Sequence, residues 1–209
     1  MSRATVPQAD EREATRAGSE RRREVLLVAA AVIARKGVHG ATVRDIADEA
    51  GILSGSLYHH FSSKEQMVDE IVTAYLGAAE RRFDEVVARC GDDAARGLAD
   101  MIRAGVAGVA AEPDQARIVR HDGHQLALLP AFERIAERRR TLLGMWQAMI
   151  AAGISQGVFR ADLDVDITAR AITDAVLSSG RWLPPEGELD VDTVASHLNV
   201  LFIEGLRQR

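Results

Sequence analysis

Apolar residues recur along this chain at intervals of three and four, the spacing that lines one face of an α-helix, and no β-branched alternating runs signal strands. Val25, Ala29, Val32 and Ile33 make the first stripe, which closes on Lys36-Gly37, a cation and a glycine suited to a helix end. A short stripe of Ile46, Ala47 and Ala50 lies between Thr42 and Gly51, and Leu57 and Phe61 follow four residues apart. From Ser62 a long pattern runs through Met67, Ile71, Tyr75, Phe83 and Val87 to a break at Cys90-Gly91-Asp92. Helices are then predicted over 93–111, over 114–129 with Pro113 at the first turn, over about 131–156, and as a closing pair over 165–182 and 190–208. The reading is all-α, with about nine helices.

Residues 42–65 hold three helix starts and two tight stops. Thr42 and Asp45 form a capping box, in which the hydroxyl accepts from the N3 amide and the carboxylate reaches back. Gly51 supplies the left-handed residue that ends this helix. Ile52 and Leu53 then read as buried pins, and Ser54 as the cap of a very short helix running to about Phe61, anchored inward by Leu57 and Phe61. Ser62 and Glu65 give a further capping box. The short helix leaves Ser54, Gly55, Ser56, Tyr58, His59 and His60 outside, small groups where bases come close and then hydroxyl and imidazole donors that suit phosphates. Two helices joined by a glycine turn, the second too small and polar to exist for packing, read as a DNA-binding helix-turn-helix. The plainer alternative is a helical corner in an all-α enzyme.

This stretch also resembles the TetR family of bacterial transcriptional repressors, whose signature is T-x-x-x-I-A-x-x-A-G followed by S-x-x-x-L-Y-x-H-F-x-x-K-x-x. By that resemblance Thr42 and Arg44 touch the DNA backbone, Ser54, Gly55 and Ser56 face bases, Tyr58, His60 and Lys64 hold phosphates, and His59 serves either role. The segment TVRDIADEAGILSGSLYHHFSSKEQMVDE is most similar to actinobacterial members that regulate steroid catabolism, as are Asp122 with Gln125 and the R-x-D-L-D-V-D run at 160–166. Those relatives sense steroid-derived CoA thioesters. Thr173 and Leu177 stand where that group would carry aromatic and basic residues, while Arg181 and Trp182 remain, so another acyl-CoA or a hydrophobic acid is the alternative effector. The resemblance further implies a homodimer joined by a four-helix bundle of the last two helices, on which Leu198, Leu201 and Phe202 share an apolar stripe, and an inverted-repeat operator.

Composition narrows the picture in two places. The net charge of −5 is unpromising for a DNA binder, yet residues 20–65 carry seven Lys or Arg against six Asp or Glu, while residues 66–209 carry 16 against 22. The acidic excess belongs to the body, and whole-chain charge says little when a quarter of the chain meets DNA. No apolar run approaches the length of a membrane span and the N-terminal residues lack the apolar core of a signal peptide, so no membrane partner and a cytoplasmic protein are expected. The lone Cys90 has no disulfide partner and lacks the neighbours of a zinc site.

The organisation expected is a disordered arm at 1–18, a three-helix reader at 19–65 and an effector-binding, dimerising body at 66–209. The helix from Ser62 links reader to body. Within the body a largely apolar cavity is expected, with Met101, Trp146, Met149 and Phe159 as wall candidates and Arg117, His121, His124 or Arg181 meeting a polar or anionic end. A solvated face is the competing reading for the His-Arg cluster, and a solvated face or pairing with acidic neighbours is the preferred reading for the run Arg138 to Arg140. His121 and His124 share a face at i, i+3 beside Asp122 but lack HExxH spacing and a further ligand, so no metal or cofactor is assigned. A constitutive DNA-binding protein without effector is the other reading carried forward.

Overall fold

The computed structural model describes residues 8–183 and 189–208, with side chains from Gly18 onward. The chain divides into two compact units after Val68, and the division falls inside one helix.

In the first unit, α1 spans Gln8–Gly40, α2 Val43–Glu49 and α3 Ser54–Leu57, and α4 (Lys64–Cys90) begins here. Helix α1 starts well before the expected boundary: residues 8–18 are helical rather than a disordered arm, and residues 1–7 lie outside those described. Ala, Glu and Arg dominate this stretch and are strong helix formers, which outweighs the lack of an apolar stripe. Regular α1 geometry stops at Gly37, whose φ of 76° is open to glycine at no steric cost. Val25, Ala29, Val32 and Ile33 are all buried, as their spacing predicts.

The capping box at α2 is formed in both directions: Asp45 N donates to Thr42 Oγ1 at 3.1 Å, and Thr42 N donates to Asp45 Oδ2 at 2.9 Å. Asp45 also accepts from Lys36 Nζ at 2.6 Å. The lysine bond first, and the Thr42 bonds second, hold the carboxyl at about 2. A carboxylate favoured by folding contributes its full stability above about pH 3.8, and loses it as pH falls toward about 2. Acid titration of the first unit should therefore show a stability loss in that window that is missing from Asp45→Asn. Equal acid midpoints for the two proteins, by circular dichroism, would remove Asp45 from the account.

Three local expectations at the helix-turn-helix are corrected. Ser54 is not the cap of α3 but its first residue, the N-cap position being Leu53 with no side-chain cap, and the helix ends at Leu57 rather than about Phe61. Leu53 is not a buried pin but 80% exposed, while Ile52 is half-buried. The cap of α4 is Ser63, whose Oγ accepts from Gln66 N at 3.2 Å, rather than Ser62 with Glu65. Gln66 Oε1 in turn accepts from Ser62 N at 2.6 Å. Gln66 thus reaches back one residue beyond the N-cap, to Ser62 N and Ser62 Oγ, so half of a capping box is formed at Ser63 and the other half is replaced by these bonds.

The second unit holds the rest of α4, α5 (Ala94–Ala111), α6 (Pro113–His121), α7 (Gly123–Leu126), α8 (Glu133–Ser155), α9 (Val165–Ser178) and α10 (Val191–Leu206). Helix α5 is its centre, packed by α8, α9 and α10. The interior glycines of α5 have a steric reason: a Cβ at Gly105 would lie 2.7 Å from Val176 Cγ1, and one at Gly108 would lie 2.5 Å from Arg82 Nη2. The predicted helix over 114–129 is broken at Asp122 into α6 and α7, which puts His121 and His124 on different helices. The break lets the Arg139 guanidinium sit 2.9 Å from where a Cβ of Gly123 would be. Asp164 caps α9 by accepting from Ile167 N at 2.9 Å, as its position after the 157–163 loop predicts. Among the described residues, the backbone pairing outside helices is an isolated antiparallel bridge between Phe159 and Arg207, and no helix is long and apolar enough to cross a membrane. Most of the predicted connector at 183–187 lies outside the described residues.

Candidate functional site

A candidate site lies in each unit. In the first unit, α2 and α3 are joined through Gly51 (φ 65°), with Ile52 N bonded to Ala47 O at 3.0 Å. Leu57 and Phe61 are buried at 0% and 2% exposure, and each contributes roughly 1.5–3 kcal/mol by burial. They fix which side of α3 and the following turn points out. The Arg22 guanidinium lies 4.4 Å above the Phe61 ring, which gives this arginine a packing role in α1.

On the outward side stand most of the residues predicted to meet DNA. Thr42, Gly55 and His59 are exposed, as is Tyr58 at 58%, while Ser54, Ser56 and His60 are half-buried. Arg44 is exposed and sits 3.7 Å from Asp48, a weak surface pair that leaves it available. Lys64 differs from the others. Its Nζ donates to the carbonyls of Val38 at 2.6 Å and Ala41 at 2.9 Å, so two of its three donors pin the turn that precedes α2.

The second unit holds a partly open cavity of about 590 Å³, within the range of small-molecule sites. Its apolar wall includes Tyr75, Leu76, Phe83, Leu143, Trp146 and Val176, with Phe83 and Trp146 edge to face at 4.9 Å between centroids. Into this wall come five arginines, Arg82, Arg120, Arg139, Arg140 and Arg170, against a single carboxylate, Asp174. Burial is the main cause that lowers the Arg139 pKa, with Arg170 adding to it and Asp174 opposing. Arg120 is lowered too, first by desolvation and then by the like charges of Arg181 and Arg117. Arg82 lies against Gly108 with Nε buried and unpartnered, and its Nη1 is 3.8 Å from Glu112. The Tyr75 phenol is pushed up by its burial. Arg170 is exposed and already held by Asp166 at 2.8 Å, so the excess of positive charge rests on Arg82, Arg120, Arg139 and Arg140, and an apolar cleft with these guanidinium groups at its wall is suited to an amphipathic anion.

The cavity takes two of the predicted effector residues, His124 and Trp146. Met101 is instead core at 0% exposure, Met149 is buried with its Sδ 2.7 Å from a Cβ position at Gly97, and the Phe159 ring fills the space beside Gly153. Arg117, His121 and Arg181 lie off the lining, and the Arg120 Nη2 and His121 Nε2 atoms are 2.6 Å apart. In the run Arg138 to Arg140, Arg138 pairs with the acidic Glu80, as one of the two expected arrangements has it, while Arg139 and Arg140 line the cavity. Thr173 and Leu177 are both on its wall. Among the described residues no group of three or more His, Cys, Asp or Glu side chains is placed so that it could hold a metal ion.

The dimer stripe divides in the same way. Leu198 is buried at 6% on the face of α10 shared with Val194, Ala195, Ile203 and Leu206, and cannot meet a second copy. Phe202 is half-buried, whereas Leu201 is 71% and Val200 63% exposed.

Residues 25–71 match the family described as bacterial regulatory proteins, tetR family, and residues 91–206 match the tetracyclin repressor-like C-terminal domain. The chain belongs to the tetR family. It is therefore a DNA-binding transcriptional regulator, which sets aside the enzyme reading. This tetR-family chain is 37% identical over 202 residues to the HTH-type transcriptional repressor KstR2 of Rhodococcus jostii, covering 97% of each chain. A solved structure of the ketosteroid transcriptional regulator KstR2 of Mycobacterium tuberculosis superposes with a TM-score of 0.84 at 38% identity, over 90% of this chain and 96% of that one. AibR, solved in complex with isovaleryl coenzyme A and operator DNA, shares the fold at a TM-score of 0.75 and 22% identity, over 88% of this chain and 98% of that one.

Proposed function

We propose that this regulator represses transcription in the cytoplasm as a homodimer, and that an acyl-CoA entering the second-unit cavity releases it from its operator. The observation that carries the effector class is the lining itself, an apolar wall with Arg82, Arg120, Arg139 and Arg140 against one lining carboxylate, Asp174, while a fifth arginine, Arg170, is paired with Asp166. The acyl chain fits the wall formed by Trp146, Phe83 and Leu143, and the guanidinium groups suit the phosphates of the CoA moiety. Free steroids lack the anion, and free CoA lacks the apolar part. The KstR2 relatives are named as repressors, and AibR holds isovaleryl coenzyme A in the same fold. Thr173 and Leu177 on the wall leave the acyl group open to skeletons other than a steroid.

At the operator, Ser54, Gly55 and Ser56 meet base edges, and Thr42, Arg44, Tyr58, His59 and His60 meet the backbone. Lys64 acts first by holding the turn before α2, with one donor left for a phosphate. Two copies read half-sites about 34–36 Å apart or a multiple of that. An effector can act only by binding the DNA-incompetent conformation more tightly. A coupling of about 1–3 kcal/mol weakens operator binding roughly 5- to 150-fold.

The test is selection of an operator from random duplexes, then affinity for it with free CoA, fatty acids and acyl-CoAs of increasing size. Acyl-CoAs are expected to release the protein where free CoA and free acids do not. Acyl-CoAs that bind by calorimetry yet leave operator affinity unchanged would refute the switch, and the absence of binding would refute the effector class.

A further inference from the structure

The start of α3 is built against its own local stability. A helix N-cap favours Ser, Thr, Asp or Asn, because a side-chain oxygen satisfies an amide that has no partner in the helix. Leu53 holds that position with extended backbone (φ −70°, ψ 141°), and no side-chain cap is made. Its carbonyl does accept from Ser56 N at 2.8 Å, so the backbone is set correctly and only the side chain is unsuited. That side chain is the most exposed of the large apolar residues described, at 80%. Packing does not require it, since Leu57 and Phe61 already anchor the segment. Two residues on, Gly55 has no atom within 4 Å of where a Cβ would be and no positive φ, so neither crowding nor backbone geometry inside the protein asks for a glycine. Glycine in a helix is destabilising, so this is a second local cost at the same place.

An apolar group that comes close to this spot only when DNA is bound offsets both costs. Base edges in the major groove are polar except at thymine, whose C5-methyl is displayed there. We infer that Leu53 is a specificity-determining residue that covers a thymine methyl in each half-site, with Gly55 keeping the approach clear. This rests on the reading of α3 as the helix that enters the groove. Ser54 and Ser56 supply the polar contacts beside it, and Leu53 adds the one distinction a hydroxyl makes poorly, between thymine and the other bases.

The experiment uses the full chain and an operator selected by the wild-type protein. Each thymine is replaced in turn by uracil, which keeps every hydrogen-bonding edge and removes only the methyl. At one thymine per half-site, wild-type affinity should fall about fourfold, the equivalent of one buried methyl-sized group, and about 15-fold when both half-sites are changed. Leu53→Ala should bind the thymine and uracil duplexes alike. Leu53→Ser should lose the same preference while supplying the missing cap, and so raise Tm by about 2–4 °C. A merely structural leucine would lower Tm on the same change. Wild-type binding that tolerates uracil at every position overturns the inference, as does an unchanged uracil penalty in Leu53→Ala or a lower Tm in Leu53→Ser. If wild-type protein enriches no sequence at all, the groove-reading role of α3 fails first, and the inference with it.

Discussion

Leu201→Asp is expected to give folded protomers that no longer pair and that bind the operator about 100- to 10,000-fold more weakly, the range lost when two linked contacts become one. Helix α10 is apolar on more than one side. Val194, Ala195, Leu198, Ile203 and Leu206 are buried within the unit, where α10 packs on α5, Arg103 pairs with Asp192, and Asn199 Nδ2 donates to Ala99 O at 3.2 Å. Val200 and Leu201 point away from that core at 63% and 71% exposure. On α9 Ile167 is 66% exposed, so the helix before it also shows apolar surface. Neighbouring large aliphatic side chains left in water are what a second copy covers. The contrast with Leu198 makes the test sharp. Leu198→Ala removes a core side chain and should cost about 2–5 kcal/mol of folding stability, while Leu201→Asp should leave Tm nearly that of a monomeric protein with an intact core. Sedimentation at micromolar concentration and operator titration read the two effects separately. A wild-type monomer, or a Leu201→Asp dimer, would refute this interface.

The second large effect is expected at Arg139. Arg139→Met should weaken acyl-CoA binding about 10- to 150-fold, the span of a hydrogen bond made to a charged group, with little change in operator affinity when no effector is present. Arg139 is half-buried, lines the cavity beside Gly123, and pays a desolvation cost that Asp174 only partly offsets. Methionine keeps the unbranched apolar stem and removes the guanidinium, and with it the desolvation cost of a half-buried charge. The readouts are calorimetric affinity for the acyl-CoA and the concentration that half-releases operator, and both should move together. A variant that is released at the wild-type concentration would take Arg139 out of the binding set. The same change in a free-CoA titration tells whether the lost contact belongs to the phosphate end.

The reader was legible because its signals are local. Thr42 and Asp45 sit within one turn of each other, Gly51 marks its own left-handed residue, and Leu57 and Phe61 need only helical spacing to be placed. Leu53 was misread because hydrophobicity says that a residue prefers burial, and not that burial is provided. The cavity was legible only as a kind of site. Met101, Met149 and Phe159 have the side chains of a cavity wall, but whether an apolar residue faces a neighbour or a void depends on helices far apart in sequence. Arg139 and Arg140 read as solvated or paired with acidic neighbours for the same reason, since a charged side chain gives no sign of which helix will cover it. Leu198 and Leu201 differ by three positions on one stripe. Periodicity assigns both to an apolar surface, and only the position of α5 decides which of them is spent inside the protomer.

The turn between α1 and α2 has a practical consequence for amine chemistry. Lys36, bonded to Asp45, and Lys64, bonded to the Val38 and Ala41 carbonyls, are the two lysines of the whole sequence. Every other basic side chain of that class is arginine. Apart from the α-amino group, an amine-directed label, crosslinker or surface attachment must therefore land on the turn that supports the reading helices, where neutralising either amine breaks the bonds that hold it. Tethering this protein through its lysines for a binding assay selects against the activity being assayed, whereas the lone thiol at Cys90 lies in the other unit and leaves the turn untouched.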